Sequence, residues 1–203
     1  MRRIFYIMGK SSSGKDTIYK ELIKNLDFKP IVLYTTRPMR ENEIQGREYN
    51  FTDFENFQQM NSAGKVIEAR IYDTVYGKWA YFTAEGSIDS EHDYIGIGTL
   101  ESYLKLLGRY GKELVPVYIE TADDIRLIRA IERERMESKP KYTEMCRRFI
   151  ADSEDFSEEN IKKAGIDRRF ENNGKIDDCI LEILEYIENI RNIRKEEKQS
   201  GEG

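Results

Sequence analysis

The sequence predicts an α/β protein built on a parallel, doubly wound sheet. Three observations carry that expectation. Short apolar runs alternate with amphipathic helical patterns along the chain, the first run ("RIFYIM", 3–8) feeds a glycine-rich turn, and the turn feeds a helix.

The elements follow in order. After Gly14, "KDTIYKELIKNL" spaces Ile18, Leu22, Ile23 and Leu26 as a helix. "PIVLYT" (30–35) reads as a second strand, and "DFENFQQMNSAG" as a short helix opened by an Asp cap and closed at Gly64. "KVIEARIY" and "HDYIGIG" read as strands. "TLESYLKLLGRYG" is a helix from a Thr cap to Gly111. "ELVPVYIE" is a strand whose Pro116 suggests an edge or an irregularity. "TADDIRLIRAIERERM" is a helix opened by a Thr cap, and "KYTEMCRRFIADSEDF" a second one. "IDRRFENN" gives a last strand, and "GKIDDCILEILEYIENIRNI" a long helix with Ile180, Leu181, Leu184 and Ile187 as its core stripe. A polar tail, 194–203, closes the chain.

Composition narrows the class. The chain has 203 residues, enough for one large domain with a real core, and its 35% charged and 11% aromatic residues describe a globular protein. A net charge of −5 argues against general nucleic-acid binding and leaves room for a local basic pocket. Cys146 and Cys179 suggest packed thiols in a reducing compartment, and the single histidine, His92, gives no basis for a zinc site. No apolar run has the length of a membrane span, and the N-terminal one is too short for a signal peptide. The expectation is a cytoplasmic protein without nucleic-acid or membrane partners, monomeric or homodimeric.

The turn "GKSSSGKD" fits the phosphate-loop pattern G-x-x-x-x-G-K-[ST] except at its last place, where Asp16 replaces the hydroxyl. Such a loop holds phosphate with inward backbone amides and the positive end of the following helix. Gly9 and Gly14 allow the tight turn, Ser11, Ser12 and Ser13 leave room and add hydroxyls, and Lys15 reaches the outer phosphates as a point charge. The usual hydroxyl at the last place binds Mg²⁺, and a carboxylate binds it too, so Asp16 is the candidate metal ligand. Thr17 follows, with its side chain turned by about 100°. The loop is expected to bind nucleotide phosphate, with unusual metal geometry.

A second constellation is "YTTRPMRENEIQGREYNFTDFENF" (34–57). Arg37 and Arg40 in one short loop either fork onto a phosphate monoester or form a solvated basic loop. On a later helix Arg129 and Arg133 share a face, where they either serve an anion or pair with Glu132 and Glu134.

The whole stretch T-T-R-x-x-R, followed by Glu, Gly, Tyr and Phe, resembles the acceptor loop of the guanylate kinase family, and the resemblance runs in order from about residue 3 to 190. It implies a three-layer P-loop NTPase fold in one domain, 1–193, with an acceptor lobe at about 34–83 and a lid at about 129–150. The implied activity is ATP- and Mg²⁺-dependent phosphorylation of a nucleoside monophosphate, GMP foremost. By the same resemblance Arg37, Arg40, Tyr49 and Tyr76 hold the acceptor phosphate, and Glu68 faces the guanine. Arg129, Arg133 and Arg148 fall at lid and transfer positions, with Arg147 an alternative to Arg148. Asn172 or Asn173 falls on the adenine side.

The chain departs from the family pattern at Asp16, at Leu33, at Lys78 and at Gly96 and Gly98, where the family carries acids. Lys78 adds positive charge beside the acceptor phosphate, and Glu101 or Glu120 are candidates to replace the missing acids. Ribose 1,5-bisphosphate phosphokinases, some of which share G-K-D-T, and non-catalytic phosphopeptide-binding relatives are the competing expectations.

Overall fold

A computed structural model describes residues 2–74 and 77–200. The chain forms two compact units, residues 1–6 with 28–115, and residues 7–27 with 116–203. Strand β1 (Ile4–Met8) gives its first three residues to the first unit and its last two to the second.

In the first unit β2 (Lys29–Pro30) runs parallel to β7 (Tyr94–Gly98), and β7 lies beside β1, with Tyr94 N donating to the Arg3 carbonyl at 2.8 Å. A separate four-stranded sheet has the order β4-β3-β6-β5, from β3 (Tyr34–Thr35), β4 (Asn50–Phe51), β5 (Val66–Thr74) and β6 (Gly77–Ala84). β3 and β4 are parallel, and β6 is antiparallel to both β3 and β5. Phe57, Ala80, Phe82 and Ala84 form its core, with Tyr34, Phe54 and Met60 packed around them. Helix α2 (Phe54–Ser62) reaches this core because the Asp53 carboxylate caps it, accepting from Asn56 N at 2.7 Å. Helix α3 (Leu100–Tyr110) follows β7, with the Thr99 hydroxyl accepting from Ser102 N at 3.2 Å.

In the second unit β1 neighbours β8 (Leu114–Glu120), and β8 runs parallel to β9 (Arg169–Glu171) in the register Tyr118–Arg169 to Glu120–Glu171. Helix α1 (Lys15–Asn25) buries Ile18 and Leu22, and it packs on α7 (Ile176–Ser200). Helices α4 (Asp123–Met136) and α5 (Tyr142–Asp155) pack on each other, and a short α6 (Glu158–Lys163) precedes β9. No helix among the described residues is long and apolar enough to cross a membrane.

Several expectations change. The strand expected at 30–35 is split into β2 and β3, which join different sheets. β6, which completes the hairpin with β5, was not expected from the sequence at all, and neither was α6. β8 lies between β1 and β9 in the strand order, so Pro116 does not mark an edge; it precedes the Tyr118–Glu120 stretch that pairs with β9. α4 has no side-chain cap, because its N-cap position is Ala122, one residue past the expected Thr121, and alanine carries no acceptor; the Thr121 hydroxyl donates to the Ser13 carbonyl. The buried stripe of α7 is Cys179, Ile180, Ile183 and Ile187, while Leu181 is exposed; α7 is helical to Ser200, through most of the expected tail. Cys146 is exposed rather than packed, whereas burial pushes the Cys179 thiol up to about 11.

The glycines of β7 have a steric reason. A Cβ on Gly96 would stand 2.8 Å from both Ile31 Cδ1 and Tyr6 Cδ2, and a Cβ on Gly98 would run into the Tyr6 hydroxyl. Tyr6 is buried, with its ring 6.3 Å from that of Tyr103. The phenol thus fills the space over β7 where side chains at 96 and 98 would project. Gly98→Ala should lower stability by about 1–3 kcal/mol through overpacking. Tyr6→Phe, which removes the nearest atom, should shrink that penalty in a double-mutant cycle of chemical unfolding. Additive effects would show that the contact does not decide this position.

Candidate active site

The phosphate loop leaves β1 at Gly9, where a Cβ would stand 2.6 Å from the Ile119 carbonyl; glycine is what lets the loop lie against β8. Ser12 (φ 63°) and Gly14 (φ 89°) take left-handed conformations, and at Gly14 a Cβ would strike the Asn172 amide. These turns bring the chain round to the start of α1, whose first residue is Lys15.

Two residues far along the chain brace the loop from below. The Asn172 amide donates to the Ser13 carbonyl at 2.8 Å, and the Thr121 hydroxyl donates to the same carbonyl at 3.2 Å. Asn172, only 1% exposed, therefore serves the loop rather than presenting its side chain to a base. Asn173 goes elsewhere, its Oδ1 accepting from Ala122 N at 2.8 Å. Around the loop Ser12 Oγ, Ser13 Oγ and Arg129 Nη1 are buried without a hydrogen-bond partner in the protein, the pattern of a site that receives a polar group. Lys15 is largely covered, with Nζ 3.8 Å from Asp16 Oδ2, whereas Asp16 is 80% exposed on the first turn of α1 and Thr17 is exposed beside it.

The arginines separate into distinct roles. Arg129 Nη2 donates to the Asn172 carbonyl at 3.1 Å, so this residue belongs to the loop's support. Arg133 forms no ion pair among the described residues, with Glu132 and Glu134 or otherwise. Arg133 and Arg148 line one small cavity of about 40 Å³ together with Ser11 and Ser12. Of the two neighbours Arg148 lines that cavity and Arg147 does not; Arg147 forks onto Glu144 at 2.7 and 2.8 Å. Arg148 Nε also donates to Glu144, at 2.9 Å.

A second cavity, about 320 Å³, lies at the carboxyl ends of β8 and β9, lined by Lys10, Glu120, Thr121, Asp123, Glu171 and Asn173 among others. Glu120 pairs with Arg169 at 2.8 Å, and Glu101 with Lys105 at 2.7 Å on the surface of α3.

The acceptor constellation lies in the first unit. Arg37 is buried, and its guanidinium forks onto Glu43 at 2.5 and 2.8 Å while also donating to the Pro38 carbonyl at 2.9 Å. Its cation lies 5.3 Å from the Tyr49 ring centre and 5.6 Å from that of Phe51. The Glu43 hydrogen bonds raise the Arg37 pKa above its ordinary value, and the Tyr81 hydroxyl adds to this. In return Arg37 holds the Glu43 carboxyl down at about 2. Arg40 is exposed; its backbone N–H donates to Glu43 at 2.7 Å.

Glu43 and Tyr81 were not singled out in the sequence as members of this group. The Glu at the sixth place after Arg37 was the available signal; for Tyr81 there was none, because β6 itself was missed. Glu68 is a buried carboxylate on β5 that accepts from the Thr83 hydroxyl at 3.0 Å and from the Ser102 hydroxyl at 3.1 Å. Arg70 Nε stands 3.9 Å from it without hydrogen-bond geometry. Lys78 is exposed, 4.0 Å from Asp73. Tyr76 lies outside the described residues.

Two outcomes follow from this geometry. Asn172→Ala leaves the buried Ser13 carbonyl short of a donor, so it should cost about 1–3 kcal/mol of stability. Chemical unfolding of the variant reads the loss, and unchanged stability would show that the contact does not hold the loop. Glu43 is depressed from 4.5 to about 2 on folding, so its contribution is complete above pH 4.5 and is lost as pH falls through about 2. Glu43→Gln should therefore flatten the acid limb of a stability–pH curve between those values; an unchanged limb would remove the pair from acid unfolding.

The comparisons agree with this arrangement. A family model described as guanylate kinase matches residues 1–86. A guanylate kinase of Rhodopseudomonas palustris (strain CGA009) is 30% identical over 118 residues, covering 57% of this chain and 53% of the relative. One of Clostridioides difficile (strain 630) is 42% identical over 76 residues, 36% of this chain and 37% of the relative. The matched region thus spans about half or less of these relatives' length. The crystal structure of guanylate kinase from Anaplasma phagocytophilum superposes with a TM-score of 0.55 at 20% identity, covering 95% of this chain and 86% of that one, which shows the shared fold. Over residues 1–86 the sequence is thus similar to guanylate kinases, and over nearly its whole length the chain shares the fold of one.

Proposed function

We propose that this protein transfers the terminal phosphoryl group of ATP to GMP. The observation that carries the acceptor is Glu68. Two hydroxyls occupy part of its capacity, and the nearest guanidinium nitrogen, 3.9 Å away, makes no hydrogen bond to it. A buried carboxylate in that state is costly unless further donors reach it, and guanine offers two adjacent N–H donors on one edge. The exposed Arg40 and the aromatic-backed Arg37, with Tyr49 and Tyr81, supply the acceptor phosphate with charge and hydroxyls.

The donor side rests on the loop. Backbone amides from Ser11 to Lys15 and the start of α1 receive the phosphates. Lys15 places a positive charge at their outer end, and Arg133 and Arg148, lining the cavity with Ser11 and Ser12, offset the charge that develops during transfer. The polar cavity of about 320 Å³ beyond Lys10 has room for the nucleoside.

Among the described residues no cluster of three or more acidic, histidine or cysteine side chains could cage a metal. Mg²⁺ needs no such cage, being held in sites of this kind by one or two carboxylates, waters and phosphates, and the exposed Asp16 would supply the carboxylate. When bound, the metal neutralises phosphate charge. The exposed free thiol of Cys146 suits the reducing cytoplasm, where we place the protein.

A coupled ADP-release assay with ATP, Mg²⁺ and separate GMP, dGMP, AMP, UMP and ribose 1,5-bisphosphate should give its highest kcat/KM with GMP. A preference for ribose 1,5-bisphosphate would overturn the acceptor. Lys15→Ala should lower kcat at least about a hundredfold with the melting temperature unchanged. Activity within a few-fold of the unsubstituted protein would remove the loop from the mechanism.

A further inference from the structure

One amide of the phosphate loop is engaged by an anion that belongs to the protein itself. The Ser11 N–H donates to Asp152 Oδ2 of α5 at 2.6 Å, a length typical of a charge-assisted bond. The carboxylate is backed by Arg126 of α4, which is fully buried. Arg126 Nη1 stands 3.7 Å from Asp152 Oδ2 and donates to the Ser11 carbonyl at 3.3 Å. Its Nε and Nη2 lie 3.2 and 3.0 Å from Asp123 Oδ1, and its cation lies 4.5 Å from the Phe149 ring centre. Lys10 Nζ, 3.6 Å from the same Asp123 oxygen, completes a group of two cations and two carboxylates. Ser11 is thus gripped at both backbone polar atoms, its carbonyl by α4 and its N–H by α5.

Backbone N–H groups are what a loop of this kind offers to phosphate. A single N–H cannot serve a carboxylate and a phosphate oxygen fully at the same time. We infer that Asp152 is a positioning residue and a competing anion. It holds the Ser11 amide in place, the incoming donor phosphate displaces it, and Arg126 keeps the released carboxylate paired. Asp152 then sets the affinity for ATP, and through α5 it links the loop to the helix that carries Arg148. The inference rests on the donor role proposed for the loop and is independent of which acceptor the protein uses. A merely structural brace predicts the opposite sign, because loosening the loop weakens ATP binding.

The test is calorimetric titration of Mg²⁺–ATP, without acceptor, into the full chain and into Asp152→Asn and Asp152→Ala, with thermal melts of each. Asn keeps the size and a carbonyl acceptor for Ser11, so the fold is expected to survive. Removing the charge should tighten ATP binding about fivefold in Asp152→Asn, the difference between a charge-assisted and a neutral hydrogen bond, with little change in melting temperature. Inorganic tripolyphosphate should show the same gain, because the contest is for a phosphate oxygen. Unchanged or weaker binding in either folded variant would overturn the inference. Failure of the unsubstituted protein to bind ATP would overturn the loop's donor role and this inference with it, whereas failure of GMP as acceptor alone, with ATP binding tightened, would leave it standing.

Discussion

The Ser13 carbonyl accepts from Thr121 and Asn172, residues 108 and 159 positions further along the chain, and the shape of the phosphate loop depends on that one oxygen. A loop with left-handed turns at Ser12 and Gly14 has no regular ladder to fix it. Its backbone groups must be satisfied by side chains or by a ligand. Asn172 stands at the end of β9 and Thr121 at the end of β8, so the parallel pairing of these two strands delivers both donors to the same oxygen. Thr121 lies one residue before the start of α4, whose N-cap position falls on Ala122, so the helix begins without a side-chain cap.

The acceptor constellation follows a different logic. Its arginine is buried, and a buried guanidinium survives only with a partner of matched geometry. Glu43 supplies that match, Tyr49 and Phe51 set their rings beside the cation, and Tyr81 adds a side-chain hydrogen bond. Arg37 is thereby fixed in direction. Arg40, exposed a few residues away, retains the mobility that Arg37 gives up.

The departures at β7 take their meaning from Tyr6. The family pattern led to an expectation of carboxylates near 96 and 98, and the sequence offered Glu101 and Glu120 as substitutes. Both proposed substitutes are tied to cations of their own. The volume that side chains at 96 and 98 would need is taken by a phenol from β1. The loss of the acids and the presence of Tyr6 are one steric arrangement, leaving Glu68 with its two hydroxyls as the buried carboxylate of that region.

What the sequence determined by itself was local. Glycines at fixed spacing announced the loop, Asp53 and Thr99 announced their helices, and T-T-R-x-x-R announced the acceptor segment, because turns, caps and short motifs are written in neighbouring residues. β6 escaped notice because a hairpin strand that is half exposed and ends in small residues carries no strong period. The placement of Arg148 rather than Arg147 on the small cavity, the use of Thr121 and Asn172 under the loop, and the burial of Arg126 against Asp152 were decided by tertiary structure alone. Each depends on which face of a helix or which end of a strand meets a loop more than a hundred residues away. An arginine in a helix looks the same in sequence whether it ends in water or beneath a phosphate loop; only packing removes the water and makes its partner obligatory.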